Sequence, residues 1–401
     1  MKSNISGKKQ AWLAFILGTV SATGPLSMDM YLPALPQMAT DLHTQVSVLQ
    51  LSLSACLIGL ALGQLIVGPL SDKFGRKKPL IIGFALFGIV SLMISMTNSI
   101  TLLIGLRFIQ GLAGSSGQVL SRAIARDLFS GPLLTKFYSM LSAVNGIFPV
   151  LSPVIGGIII QYTSWQGIFV VLAVIGLLVV LALFCGIKET LPTNERTGGG
   201  FISTIASIGS LVKNGRFLRL IISAGLVTGG LFAYISASSF VFQDYFNMSV
   251  QNFSFLYALN GIGIAIGSII PGFLASRVPE TKQTKIVLMT AFISSLLLVG
   301  SWYTVRSLPV VIALVFLIVT QFGILFTLTT SIVMNIGSRN GGSISALFGL
   351  AQNGTGSLMS PIVGLFGTAT YLPMAVAIAI CMILSFTLFS TLNMKPQRGK
   401  I

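Results

Sequence analysis

The chain has 401 residues, of which 54% are hydrophobic and only 8% are charged, and its formal net charge is +16. A mean hydropathy of +0.92 excludes the soluble globular classes. The positive charges are spread over segments between apolar runs, where they face anionic lipid headgroups. We therefore do not expect nucleic acid as a partner.

Twelve apolar runs follow one another along the chain, and each is long enough to cross the hydrocarbon layer of a membrane as a helix. This pattern predicts an all-α membrane protein with twelve transmembrane helices. The predicted spans are residues 11–35, 48–70, 79–97, 101–121, 138–160, 168–187, 217–241, 253–275, 286–304, 309–334, 344–366 and 370–394.

Nearly all of the 24 Lys and Arg residues lie before the first run, after every second run, or after the last run. Arg107, inside a predicted span, and Arg306, in one of the other gaps, are exceptions. Since positively charged loops stay on the cytoplasmic side, the alternation predicts that both termini are cytoplasmic.

The longest polar interruption, residues 188–216, contains Pro and several Gly residues and predicts a flexible cytoplasmic linker. It divides the chain into an N-terminal half, residues 1–187, and a C-terminal half, residues 217–401. The segment after the second run is faintly repeated after the eighth, which suggests an internal repeat. In transporters built from repeats, the substrate binds at the interface between the repeats.

Two glycines in the eighth run, Gly263 and Gly267, belong to a pattern that superficially resembles a dinucleotide-binding loop. No strand precedes this pattern, which lies in the middle of a predicted helix, so the context for nucleotide binding is missing. Small residues four apart instead predict close packing between helices.

Asp29 is an acid at the end of an uncharged run, in the outer half of the first predicted helix and ahead of Pro33 and Pro36. A carboxylate in hydrocarbon costs several kcal/mol, roughly, unless it faces water, pairs with a cation or is protonated. Burial favours the neutral form of a carboxyl group, which makes reversible protonation near neutral pH possible. The alternative is that the helix ends early and Asp29 lies among the headgroups.

Arg107 is the one cation more than a turn inside a predicted span, in the fourth helix. Because a guanidinium group stays protonated, it needs a carboxylate, backbone carbonyls or a substrate oxygen as a partner. Asp29 and the carbonyls of the first helix are the candidates. Alternatively, the side chain extends to the outer headgroups.

The loop after the second run contains glycines and charges that predict a tight turn and an ion-pair network. Gly75 permits the reversal of the chain, and Arg76 can pair with an acid such as Asp127. Asp72 is suited to the N-terminus of a helix. The alternative is an ordinary basic loop that only sets topology.

The sequence Asp72-Lys-Phe-Gly-Arg76-Lys-Lys78 resembles motif A of the major facilitator superfamily, and Leu103–Gly111 resembles its helix 4 motif. Residues 145–157 resemble the antiporter motif of helix 5, although Ser152 replaces a usual glycine. Residues 29–36, Asp-Met-Tyr-Leu-Pro-Ala-Leu-Pro, are similar to the helix 1 signature of the Bcr/CflA multidrug-efflux group, and 242–246 also resemble that group.

This resemblance implies the major facilitator fold, with two pseudo-symmetric six-helix halves, and proton-coupled export of small hydrophobic drugs or antibiotics across a bacterial inner membrane. It implies that Asp29 exchanges a proton for substrate and that Arg107 tunes this protonation. A latch and a packed helix 5 are also implied. The latch residues are Gly68, Asp72, Gly75, Arg76, Lys77 and Asp127, and the helix 5 residues are Pro149, Pro153, Gly156 and Gly157.

Further candidates for substrate binding, beside Asp29 and Arg107, are the polar residues Tyr31, Asn145, Tyr234 and Asn260 within the spans. Export or import of one defined metabolite is the alternative to multidrug efflux. The single histidine, His43, and the lack of an ATP-binding Gly-x-x-x-x-Gly-Lys loop lead us to expect no metal, no cofactor and no enzymatic activity. We expect a monomer.

Overall fold

The computed structural model describes residues 7–129, 131–186, 188–196, 209, 212–274, 277–336, 341–367 and 370–392. Within these ranges every long element is a helix, and the predicted all-α fold class is confirmed.

Twelve long helices account for the twelve predicted spans. They are α1 (Gly7–Asp29), α2 (Val46–Phe74), α3 (Lys77–Ser95), α4 (Ile100–Leu128), α5 (Gly131–Tyr162), α6 (Gln166–Gly186), α7 (Gly215–Phe240), α8 (Val250–Leu274), α9 (Glu280–Tyr303), α10 (Leu308–Ile336), α11 (Gly341–Leu365) and α12 (Leu372–Ser390). Among the described residues, eight helices are long and apolar enough by themselves to cross a membrane: α2, α3, α6, α7, α8, α9, α10 and α12.

The first helix ends earlier than residue 35, and the prediction of an uninterrupted span over 11–35 was wrong. α1 stops at Asp29 and is followed by a turn, a short 3-10 helix over Leu32–Ala34 and a seven-residue helix over Leu35–Asp41. Pro33 explains the break, because it has no N–H to donate to the carbonyl of Asp29.

The described chain forms two compact units. The first contains Met1–Thr44 and Ala55–Ser203, and the second contains Gln45–Ser54 and Thr204–Ile401. The first residues of α2 belong to the second unit, where Gln50 donates to the carbonyl of Ser236 at 2.9 Å. The division into residues 1–187 and 217–401, with a flexible linker, stays a prediction.

The two units repeat one packing pattern. In the first, α1 packs against α4 and α5, while α3 packs against α4 and α6. In the second, α7 packs against α10 and α11, while α9 packs against α10 and α12. The second set is the first shifted by six helices, as an internal repeat requires.

Glycines permit close contacts between helices in both units. A Cβ atom at Gly111 of α4 would overlap the carbonyl oxygen of Cys56 in α2. In the second unit, a Cβ atom at Gly323 of α10 would overlap the carbonyl oxygen of Ile264 in α8. A Cβ atom at Gly267 of α8 would likewise overlap the carbonyl oxygen of Thr320 in α10. Close packing, predicted for Gly263 and Gly267, is thus confirmed, since only a missing side chain lets the backbones approach this far.

We expect Gly111→Ala to destabilise the folded protein by on the order of 3 kcal/mol, because a methyl group has no room against the backbone of α2. Thermal unfolding of the purified protein in detergent measures the loss. Gly105→Ala in the same helix is the matched control, since its added methyl group meets no heavy atom of the described chain within 4 Å. Equal unfolding temperatures of the two variants would contradict the packing argument.

Candidate transport site

Arg107 lies in the middle of a polar network inside the first unit. Its side chain is 0% exposed, and Nη1 donates to the carbonyl of Ser27 at 3.1 Å and to Oε1 of Gln110 at 2.6 Å. Gln110 in turn donates to the hydroxyl of Ser91 at 2.7 Å. Of the partners predicted for Arg107, the structure thus provides a carbonyl of the first helix, and the side chain does not extend to the surface.

Two aromatic rings face the guanidinium group of Arg107. Its Cζ lies 4.4 Å from the ring centre of Tyr31 and 5.8 Å from that of Phe169. Both rings are fully buried, and Trp165 packs edge-on against Phe169. Cation–π contacts of this kind stabilise a charge that has left water. Tyr31 and Arg107, predicted separately, therefore belong to one cluster.

Two nitrogen atoms of Arg107, Nε and Nη2, have no hydrogen-bond partner among the described residues. A buried guanidinium group with unused donors is costly, because each donor has lost its hydrogen bond to water. Donors of this kind are able to bond an additional acceptor, and each such group in a native structure calls for an explanation.

Asp29 is the last residue of α1 and is half-buried between the buried Met28 and Met30. The residues two before and two after it, Ser27 and Tyr31, both contact Arg107. By helical spacing, Asp29 lies on the face of this helix end opposite to that of Ser27. The carboxyl group of Asp29 is thus carried by the helix end that Arg107 contacts at Ser27 and Tyr31.

A second cluster lies inside the second unit and joins two predicted residues. Asn260 of α8 is 1% exposed and donates from Nδ2 to the hydroxyl of Tyr234 in α7 at 2.7 Å. The ring of Tyr234 stacks on that of Tyr257 with 6.0 Å between centres. The Oδ1 atom of Asn260 has no hydrogen-bond partner in the described part of the chain, so this cluster presents an unused acceptor.

The loop between α2 and α3 forms the ion-pair network that its sequence predicts. Arg76 donates from Nε to Asp127 at 3.0 Å, and from Nη1 to Asp72 at 2.5 Å and to Ser71 at 2.7 Å. Ser71 donates to the carbonyl of Gly68 at 2.7 Å. Burial alone would lower the pKa of Arg76, but its hydrogen bonds to Asp127 and Asp72 raise it, so the charge is secure.

Gly75 adopts the left-handed conformation, with φ of +89°, which explains why glycine occupies this turn. Lys77 donates from Nζ to the carbonyl of Phe184 at the end of α6, at 3.0 Å. All these partners belong to the first unit, where they hold the ends of α2, α3, α4 and α6 together. Action as a latch that opens during transport stays a prediction.

Glu189 is a residue that sequence reasoning missed. Its carboxylate accepts from the backbone N–H groups of Arg76 at 2.8 Å and Lys77 at 3.2 Å, at the start of α3. The N–H groups of Thr190 and Leu191 donate to it at 3.0 and 3.1 Å. Glu189, rather than Asp72, is therefore the acid at this helix N-terminus. Its position in the predicted linker gave no signal of this role.

The helix 5 motif packs against the end of α1. A Cβ atom at Gly156 would overlap the carbonyl oxygen of Met30, and Pro153 and Gly157 are buried. The side chains of Asn145 and Pro149 lie outside the described ones, so the roles predicted for them stay predictions.

Comparison with known proteins identifies the family. The sequence profile of the Major Facilitator Superfamily matches residues 17–361. The chain belongs to the Major Facilitator Superfamily. This is a superfamily of transporters rather than enzymes, and the protein is a multi-pass membrane transporter.

Relatives in bacteria agree with this membership. The chain is 40% identical over 376 residues to the uncharacterized MFS-type transporter YdgK of Bacillus subtilis (strain 168), covering 93% of each chain. It is 28% identical over 390 residues to the bicyclomycin resistance protein homolog of Haemophilus influenzae (strain ATCC 51907 / DSM 11121 / KW20 / Rd), covering 96% of each. The resemblance to the Bcr/CflA group is thereby confirmed.

A solved structure confirms the fold of this superfamily member. The crystal structure of a D-xylose-proton symporter superposes with a TM-score of 0.77, over 98% of this chain and 99% of that one. At 14% identity the likeness concerns the fold alone.

For the transporter we expect Glu189→Gln to lower thermal stability at neutral pH. Burial alone would raise the pKa of Glu189, but the hydrogen bonds from Leu191, Arg76, Lys77 and Thr190 lower it below the ordinary 4.5. A carboxyl group whose pKa is lowered by folding stabilises the folded protein at pH values above its pKa in the unfolded chain. This stabilisation is lost as the pH falls through its pKa in the folded protein.

The variant and the unchanged transporter should therefore differ in unfolding temperature at pH 7 and converge as the pH falls well below 4.5. Fluorescence-detected unfolding in detergent over this pH range measures both. Asp41→Asn, at an exposed carboxylate, controls for the loss of one negative charge. A difference that is independent of pH would contradict the electrostatic explanation.

Proposed function

We propose that the protein is a proton-coupled exporter of small hydrophobic drugs or antibiotics that works by alternating access. The observation that carries this proposal is the fully buried Arg107, with two unused donors and bonds to the helix end that bears Asp29. A fixed positive charge next to a carboxyl-bearing helix end is a physical basis for coupling protonation to a change of helix position.

In this mechanism, Asp29 exchanges one proton for one molecule of substrate. Ionised Asp29 accompanies uptake of the substrate from the cytoplasm or the inner leaflet, and protonation from outside promotes its release and the return of the protein. Arg107 acts through Ser27 and Tyr31, the residues on either side of Asp29, so a shift of this helix end changes the contacts of the guanidinium group. Arg107 is thus a positioning residue.

The proton gradient provides enough energy for this cycle. One charge that crosses a potential of about 100 mV releases about 2.3 kcal/mol, and one pH unit adds about 1.4 kcal/mol. For an uncharged substrate, the sum of about 3.7 kcal/mol sustains a several-hundred-fold concentration ratio per proton.

The aromatic and amide groups of the two clusters suit hydrophobic cargo with a few polar atoms. Tyr31 contributes a ring in the first unit, and Tyr234 contributes a ring and Asn260 an unused acceptor in the second. Pockets for small molecules are mostly apolar, with few polar groups that orient the ligand. The bicyclomycin resistance homolog among the relatives supports an antibiotic as the substrate.

We further propose that the transporter acts as a monomer in the bacterial inner membrane with both termini in the cytoplasm. The alternation of basic segments along the chain supports this orientation.

Transport by purified protein in liposomes tests the proposal. An imposed pH gradient, acidic on the outer side of the transporter, should drive export of several structurally unrelated hydrophobic antibiotics, and an ionophore that dissipates the gradient should stop it. Coupled transport of a single metabolite, with no response to the antibiotic panel, would contradict multidrug export. Transport that continues without the gradient would contradict proton coupling.

A further inference from the structure

A cavity of about 260 Å³ lies in the second unit, and its lining includes no residue of the two clusters described above. It is lined by Thr281, Lys282 and Lys285 from the first turns of α9 and by Phe389 and Leu392 at the end of α12. Phe389 and Leu392 make part of the lining apolar, and Lys282 and Lys285 contribute two ammonium groups to it.

A third cation bonds a residue beside the cavity lining. Arg219 of α7 is half-buried and donates from Nη1 to the hydroxyl of Thr391, between the two apolar lining residues, at 3.2 Å. Lys282 and Lys285 are three residues apart and therefore lie on one face of α9. Two lysines in the lining and an arginine bonded to the adjacent Thr391 favour a ligand with a negative charge.

The acid nearest to the lysines along the chain is turned to another partner. Oε1 of Glu280, the first residue of α9, accepts from the hydroxyl of Ser331 in α10 at 2.7 Å. The Glu280 carboxylate thus bonds Ser331 rather than Lys282 or Lys285, and the two lysines keep their positive charge available to a ligand.

An apolar stripe continues from the lysines along the same face of α9. Ile286, Met289, Ile293 and Leu296 follow Lys282 at helical spacing and are 40–51% exposed. On a helix that crosses a membrane, such residues face lipid. The basic end of the stripe suits lipid headgroups, and its apolar length suits acyl chains.

The neighbouring helix provides a second apolar stripe. α12 packs against α9, and its Ile380 and Leu384 are 52% and 46% exposed. A molecule whose negative end occupies the cavity therefore has apolar surface for its chains on both helices. A free anion would use the cavity but not the stripes.

We propose that this cavity binds the phosphodiester headgroup of an anionic phospholipid, with its acyl chains along α9 and α12. Lys282, Lys285 and Arg219 contact the phosphate, and the wall of Phe389 and Leu392 contacts the glycerol and the first methylene groups. Basic cavities between transmembrane helices are the arrangement that recognises such headgroups. The site is separate from the proposed proton coupling and does not depend on it.

Native mass spectrometry of the full-length protein with short-chain phosphatidylglycerol tests the proposal. The double variant Lys282→Gln/Lys285→Gln should bind about 30-fold more weakly, because each lysine near a membrane surface contributes on the order of fivefold. The matched control is Lys73→Gln/Lys78→Gln, which removes two exposed lysines from the first unit and should leave binding unchanged. Lys282→Arg/Lys285→Arg should retain binding.

Three ligands separate a lipid site from a simple anion site. Phosphatidylcholine with the same chains, the deacylated headgroup and inorganic phosphate should each bind at least tenfold more weakly than phosphatidylglycerol. Equal binding by inorganic phosphate or the deacylated headgroup would overturn the role of the stripes. Equal binding by phosphatidylcholine, or undiminished binding by the Gln double variant, would overturn the role of the lysines.

Discussion

Asp29→Asn is expected to abolish accumulation of substrate against its gradient, so that the several-hundred-fold ratio sustained by one proton falls to about one. Asparagine has the size of aspartate but exchanges no proton near neutral pH. The substitution therefore removes the acid at the end of α1. Transport in liposomes with an imposed pH gradient measures the ratio. Exchange of substrate between two sides at equal concentration should continue, since it requires no net proton movement.

Two variants show whether this effect belongs to the proton-exchanging group. Asp29→Glu retains a carboxyl group and should preserve gradient-driven export, at a lower rate. Asp41→Asn makes the same chemical change at an exposed carboxylate on the short helix after α1 and should leave export unaltered. Full accumulation by the Asp29→Asn variant would refute the proposed role of this residue.

Arg107→Lys is expected to reduce export by at least tenfold and to destabilise the protein by on the order of 2 kcal/mol. A lysine ammonium cannot match the planar guanidinium group, which bonds Ser27 and Gln110 while it lies over the ring of Tyr31. Hydrogen bonds to charged groups contribute roughly 1.5–3 kcal/mol each. Unfolding in detergent and transport in liposomes measure the two effects.

A pH profile separates positioning by Arg107 from a purely structural role. If Arg107 biases the protonation of Asp29 through the helix end, Arg107→Lys should shift the pH at which export is half-maximal, whereas lost stability alone would lower the rate equally at every pH. Arg126→Lys changes an exposed arginine of the same helix and should alter neither quantity. An unshifted pH profile in the Arg107→Lys variant would contradict the coupling.

Local sequence was sufficient to predict the helices because in a membrane every apolar segment of this length must satisfy its own backbone hydrogen bonds. The break after Asp29 was also readable in principle. Pro33 and Pro36 follow it, but the apolar residues around them concealed the turn in a hydropathy pattern. Gln110, three residues after Arg107 on the same helix face, was a partner that helical spacing alone would have found.

The remaining features required the tertiary structure. The hydrogen bonds that the Glu189 carboxylate accepts at the start of α3 join residues more than 100 positions apart. The cavity between the first turns of α9 and the end of α12 likewise joins distant parts of the chain. No periodicity or motif in one segment specifies which other segment will lie against it.

By itself, the sequence determined the number of membrane-spanning helices, the helical repeat and the rare ionisable residues that such helices carry, since each follows from the cost of exposing polar groups to lipid. Only the tertiary structure decided the partners of those residues. It placed Arg107 against a carbonyl and two rings, because the direction of a side chain depends on how neighbouring helices are rotated and packed.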